Sequence, residues 1–338
     1  MTTERFENKR VRWWSSLVWP VSGLALLLLF DLCFTDGFFK LEVRDGHLYG
    51  VLIDILNHGS KVMLLALGMA LVIATGGVDL SVGAVMAIAG AVAARLINAA
   101  NPSFTVAIFG ALAVSILAGS WNGLLVGAFQ IQPIVATLIL MVAGRGIAML
   151  ITDGQIITFT DPRLTYLGNG HLLGMPFPVW LSAAMLLFTA VLTRRTALGL
   201  FIESVGDNQA ASSYAGVNAA TVKFFVYVFS GFCAGLAGLV AASNIKCADS
   251  NHAGLFLELD AILAVVVGGT LLTGGRFYLV GAIVGALFIQ ALTTTMYMRN
   301  VSADVAPVPK ALAILIVCLL QSPAARKRLS GLVKRRNT

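Results

Sequence analysis

Thr75-Gly-Gly-Val-Asp-Leu-Ser-Val-Gly-Ala-Val85 recurs further along the chain as Thr273-Gly-Gly-Arg-Phe-Tyr-Leu-Val-Gly-Ala-Ile283. Six positions are identical (Thr75/Thr273, Gly76/Gly274, Gly77/Gly275, Val82/Val280, Gly83/Gly281, Ala84/Ala282), and Val85/Ile283 is conservative. Each copy closes one apolar run and opens another. Glycine-rich coincidences are common in such sequences, but the fixed order and shared setting argue for a duplicated unit.

The surrounding composition sets the solvent. The 338 residues are 58% hydrophobic and only 12% charged, with a mean hydropathy of +0.88. Soluble domains are roughly a quarter charged, so a soluble enzyme is excluded. A bilayer core takes roughly 20 helical residues per crossing. The apolar supply therefore allows about ten crossings and little folded material outside the membrane. The expected fold is all-α, a single polytopic membrane domain over 1–338. The net charge of +7 is read as membrane sidedness and anionic lipid contact rather than nucleic-acid binding. Four scattered cysteines (Cys33, Cys233, Cys247, Cys318) suggest neither a disulfide framework nor a zinc site.

Ten apolar runs are expected to cross: Trp13–Phe34, His58–Gly76, Ser81–Ala99, Phe104–Gln130, Ile131–Ile151, Pro176–Thr193, Thr221–Ser243, Leu259–Thr273, Phe277–Met298 and Pro307–Gln321. The first is read as a retained span, because no A-x-A-like cleavage site follows it, and Trp13, Trp14 and Trp19 as interfacial aromatics. Gly37–Asn57 is expected on the surface, and Leu259–Thr273 is short enough to be broken or re-entrant. This arrangement places 14 of the 23 basic residues, including Arg194 and Arg195, on the side of the termini. The positive-inside rule then makes both termini cytoplasmic, with tails at 1–12 and 322–338 and a cytoplasmic loop at 194–220.

In this topology both repeat copies fall on one side, so the repeat is parallel rather than inverted. Irregular backbone survives at membrane depth only against protein or a water-filled cavity. Paired glycine interruptions thus point to a transport path, with Gly76, Gly77, Asp79, Ser81, Gly83, Gly274 and Gly275 as candidates. Asp79 is read first as a cap for the helix opening at Ser81, a role compatible with substrate contact. Arg145, inside a span between Gly144 and Gly146, is read as a structural donor to a helix end or carbonyl cluster, with a gate or sugar contact as the alternative. His58 lies at a span end and His47, His171 and His252 in loops, which gives a proton relay little support.

The loop 194–220 differs in composition from everything around it. Gly206 and Gly216 bracket a short segment in which Asn208 can N-cap a helix containing Ala210 and Ala211. At this length it exceeds an ordinary helix connection and reads as a docking element for a soluble partner. No Walker A sequence is present, so any ATP hydrolysis belongs to another subunit.

The sequence resembles the permease subunits of ribose/xylose/galactose-type bacterial ATP-binding-cassette (ABC) sugar importers over nearly its whole length. The residues that carry this are Gly76-Gly-Val-Asp-Leu-Ser-Val-Gly83, the stretch from Asn122-Gly123 through Gln132-Pro-Ile-Val-Ala-Thr137 to Arg145-Gly146, and Gly206-Asp-Asn-Gln-Ala-Ala211 with Ala215-Gly-Val-Asn218. Ala136–Gly146, Asp153-Gly-Gln-Ile156 and Leu257-Glu-Leu-Asp-Ala-Ile262 look most like a galactofuranose permease. The resemblance implies a multi-pass inner-membrane subunit that binds no cofactor itself. ATP and Mg would sit on a partner ATPase, coupled through Glu203, Gly206, Asn208, Ala210, Ala211 and Gly216. It further implies a second permease chain, identical or homologous, and a periplasmic sugar-binding protein. The competing readings are a stand-alone secondary carrier and an intramembrane enzyme. The latter is disfavoured by the lack of HExxH, GxSxG or paired intramembrane acids.

Overall fold

The structure is a computed structural model that describes residues 3–44, 46–302, 305 and 307–321; the tail at 322–338 lies outside the described residues. Thirteen α-helices are described: α1 Thr3–Phe34, α2 Val51–Ala74, α3 Val82–Ile97, α4 Phe104–Gly123, α5 Pro133–Ile151, α6 Pro162–Asn169, α7 Phe177–Arg195, α8 Leu198–Asp207, α9 Gln209–Tyr214, α10 Ala219–Ile245, α11 Leu257–Val267, α12 Leu279–Met298 and α13 Pro307–Gln321. A π-helical turn, Leu124–Ala128, prolongs α4. Three antiparallel strand pairs join the loops: Glu42–Arg44 with His47–Tyr49, Ile157–Thr158 with Cys247–Ala248, and His171–Leu172 with Met175–Pro176.

Local chemistry sets the helix ends. Ser103, Asp161, Asn208 and Asn218 each accept a backbone N–H as N-caps of α4, α6, α9 and α10, the role these side chains favour. Pro133 and Pro162 occupy first-turn positions, where a missing N–H costs nothing.

Among the described residues, seven helices are long and apolar enough to cross a membrane: α1, α2, α4 with its π turn, α5, α7, α10 and α12. Two other expected crossings are shorter: the run Ser81–Ala99 yields the 16-residue α3, and Leu259–Thr273 only the 11-residue α11. The run Pro307–Gln321 is helical over its described residues, as α13. Hydropathy reads composition and cannot see where glycine and close packing interrupt the helix. A second correction concerns Gly37–Asn57, which is not wholly a surface segment. Helix α2 starts at Val51, after Gly50 at φ 147°. Ile55 packs with Phe38 and Ala291, while Asp54 stays exposed.

Helix α2 is the axis of the fold. From Val62 to Ala74 every residue is buried, against α7, α10, α11 and α12. Glycines permit the closest approaches: Gly68 of α2 faces the Ser230 backbone of α10, and Gly119, Gly123 and Gly127 descend along Tyr227, Phe224 and Ala220 of the same helix. By contrast α5 exposes Ile134, Val135, Leu138, Ile139, Val142, Ile147 and Leu150, a face suited to hydrocarbon or to an apolar partner. The face bearing Arg194 and Arg195 is called inner here, following the charge bias.

Candidate translocation site

The first repeat copy is where α2 stops. Gly76 takes φ +78°, and the N–H groups of Gly76 and Gly77 close back on Ile73 and Val72 carbonyls at 2.9 and 3.1 Å, a left-handed glycine cap. The chain then runs irregularly to Ser81 before α3 begins. Polar side chains from four elements converge on this break. Asp79 is 1% exposed. Its Oδ1 accepts from the Ser81 N–H at 3.0 Å and from Ser81 Oγ at 2.6 Å, and its Oδ2 accepts from Ser230 Oγ of α10 at 2.8 Å. Asn122 of α4 donates to Ser81 Oγ at 2.9 Å, while its buried Oδ1 has no partner among the described residues. Tyr227 and Thr137 both point hydroxyls at the Val78 carbonyl, at 3.4 Å.

The Asp79 carboxylate thus closes a local turn onto Ser81, the N-cap residue of α3, which itself has no side-chain cap bond, and it also ties this break to α10. A buried carboxylate is costly unless hydrogen-bonded, and here Ser81 and Ser230 supply three donors within 3.0 Å and the Asn122 amide a fourth at 3.5 Å.

The second copy sits directly against the first. Gly274 and Gly275 take φ +85° and +90°. The Gly275 N–H donates to the Ala74 carbonyl at 2.9 Å. Both copies therefore lie on one side, as a parallel repeat requires. At the position of Asp79 the second copy carries Phe277, 2% exposed, with the Arg194 guanidinium 5.6 Å from its ring centre. The polar cluster is not duplicated.

The glycine after each break also matches. Gly83 packs on Gly254 and the Glu258 carboxyl, and Gly281 on the Gly268 backbone, with no room for a Cβ at either. The segment 249–256 that enters α11 is held by Arg145, whose guanidinium donates to the Ala253 carbonyl, the carbonyl contact expected from its flanking glycines. Composition alone missed the charges here. Glu258 is buried with Oε2 unpartnered among the described residues, and Asp260 pairs with Lys310 of α13 at 2.8 Å. The sequence reading found no paired intramembrane acids. Two acids do enter at α11, but two residues apart on a helix they do not share a face, and one is neutralised by lysine.

At the inner face α8 closes on the same joint. Gly206 packs against the Ala74 carbonyl and the Gly275 amide, again with no room for a Cβ. Its glycine is required by contact; Gly216, at φ +86° with open space around it, is the glycine required by backbone conformation. Asn208 caps α9 by accepting from Ala211 N–H at 2.9 Å. Ala210 and Ala211 are exposed, Glu203 is partly so, and Tyr214 is 94% exposed.

A family profile described as branched-chain amino acid transport system / permease component matches residues 51–320. The chain belongs to this permease family. It is 49% identical over 331 residues to the galactofuranose transporter permease protein YtfT of Escherichia coli (strain K12), covering 98% of this chain and 96% of that protein. It is also 39% identical to the fructose import permease protein FruF of Bifidobacterium longum (95% and 92% covered) and 34% identical to the ribose import permease protein RbsC of E. coli K12 (95% and 99% covered). No solved structure matches this chain. The permease is a multi-pass inner-membrane subunit of an ABC importer and not an enzyme; a separate ATPase subunit hydrolyses ATP, and a substrate-binding partner delivers the solute.

Proposed function

We propose that this permease forms the translocation path for a monosaccharide, galactofuranose or a close relative, in an ATP-driven importer. The family profile is described by amino acids, but the three relatives above are named for sugars, and the high identity to YtfT supports the furanose. The observation that carries the path is the joint at Ala74, Gly206 and Gly275. Both interrupted helices meet there, and the inner-face loop presses on them. Movement of α8 and α9 by an ATPase would act on the 75–81 break, where Asp79, Ser81, Asn122 and Ser230 hold α3 against α4 and α10. In this reading ATP and Mg stay on the ATPase, a periplasmic binding protein docks at the outer loops, and a second permease, identical or homologous, completes the pore within the lipid.

Reconstitution tests it. The permease with its genomically neighbouring ATPase, binding protein and any second permease, in proteoliposomes, is expected to accumulate radiolabelled galactose, which equilibrates with its furanose form, in an ATP-dependent manner. ATP-independent exchange by the permease alone would favour a secondary carrier.

A further inference from the structure

Helix α2 differs from the other spanning helices in what it leaves uncovered. Helices α4, α5 and α7 expose apolar side chains along their length, among them Phe109, Leu138 and Leu187. In α2 the only exposed residues are Asp54 and His58, with Asn57 and Lys61 partly covered beside them. These four positions, at i, i+3, i+4 and i+7, share one helix face. A polar stripe facing hydrocarbon would be costly, so this face meets water.

The stripe reaches deep. Lys61 lies ten residues into α2, about 15 Å along its axis, near the middle of the span. Of the other charged groups at comparable depth, Asp31 is satisfied by Thr35 and Thr295, Asp79 by Ser81 and Ser230, Asp260 by Lys310, and Arg145 by the Ala253 carbonyl, while Glu258 is buried and leaves only its Oε2 unpartnered among the described residues. Lys61 has neither an ion pair nor a hydrogen bond among the described residues. One turn away, the Asn57 amide oxygen is buried and also unpartnered. A donor and an acceptor left unsatisfied one turn apart suit a hydroxyl group, which needs both. They do not suit an apolar solute.

The same face continues inward. Leu65, Gly68 and Val72 follow Lys61 at helical spacing; Leu65 is 1% exposed, and Gly68 meets the backbone of Ser230, whose hydroxyl binds Asp79. The stripe therefore runs in line toward the polar cluster and is shut from it by Leu65 and the α2–α10 contact.

We propose that the Asp54–Lys61 face of α2 is the water-filled outer entry of the translocation path, where Asn57 and Lys61 hydrogen-bond hydroxyls of the sugar before it passes Leu65. The substrate class rests on the importer reading above. The test has two arms in the complete transporter, with the four native cysteines replaced. In the first, cysteines at 58, 61 and 138 react with an impermeant trimethylammonium methanethiosulfonate from outside. Positions 58 and 61 are expected to react at least tenfold faster than Leu138→Cys, on the exposed apolar face of α5; equal rates would overturn the proposal. In the second, uptake is followed for whichever of galactose, ribose or fructose the wild type carries. Lys61→Met removes an uncompensated charge and should fold normally, yet lose at least tenfold in uptake, while Lys61→Arg retains most of it. Unchanged uptake in Lys61→Met would overturn the sugar contact. A wild type inert toward all three sugars would instead overturn the monosaccharide reading proposed above, a result separable from this one because the thiol rates do not depend on transport.

Discussion

The Gly275 amide donates to the Ala74 carbonyl at 2.9 Å, so the end of α2 and the second repeat copy share a hydrogen bond. Gly206 packs on that same pair. One backbone contact thus connects the first interrupted helix, the second and the inner-face loop. Backbone groups packed without intervening side chains have little freedom to move separately. A displacement of α8 must carry the Gly274–Gly275 turn with it or break the bond.

Substitutions at the two loop glycines should therefore differ in kind. Gly206→Val places side-chain atoms against the Ala74 carbonyl, so it is expected to lower the amount of monodisperse protein as well as uptake. Gly216→Ala meets open space and carries only a left-handed backbone penalty of about 1 kcal/mol; its abundance should stay near normal. Fluorescence-detected size-exclusion profiles compare the two. Wild-type abundance and uptake for Gly206→Val would show that the joint yields freely.

Asp79 separates turn closure from charge. Asp79→Asn keeps an acceptor for the Ser81 N–H, and the Ser230 hydroxyl can turn to accept from the new amide, so folded protein and transport should be nearly normal. Asp79→Leu strands three buried donors at about 1–3 kcal/mol each and should lower the melting temperature of the detergent-solubilised protein markedly. Loss of transport by Asp79→Asn at normal abundance would assign the carboxylate a charge-dependent role.

The Asp260–Lys310 pair joins α11 to α13 with both side chains only about 15% exposed. Removing one partner of a buried pair costs about 3–5 kcal/mol, whereas replacing both is near neutral. Lys310→Met is expected to destabilise strongly, and the double variant Asp260→Leu/Lys310→Met to recover most of the loss. Thermal unfolding of the four proteins in a double-mutant cycle measures this; simple additivity would mean that the pair contributes nothing.

Sidedness is open to direct labelling. Ser212 of α9 is buried and would label poorly. Leu173, 82% exposed, and Tyr214, 94% exposed, are better reporters on opposite faces. In a cysteine-free background Leu173→Cys should react with an impermeant maleimide on intact spheroplasts, and Tyr214→Cys only after lysis. The reverse pattern would invert the topology.

The sequence alone determined that this is a polytopic helical membrane protein, because 58% apolar and 12% charged residues permit no other solvent. It also located the repeat, since Thr-Gly-Gly followed by Val-Gly-Ala survives as an ordered string, and the cap at Asn208, since capping is settled within three or four residues. Only the tertiary structure decided what those strings touch. The lengths of α3 and α11, the pressing of Gly206 on Ala74, the donors around Asp79 and the pairing of Asp260 with Lys310 all join residues far apart in the chain. A glycine needed for φ and one needed for close approach look identical as letters, and Gly216 and Gly206 are told apart only by the backbone that arrives beside the second.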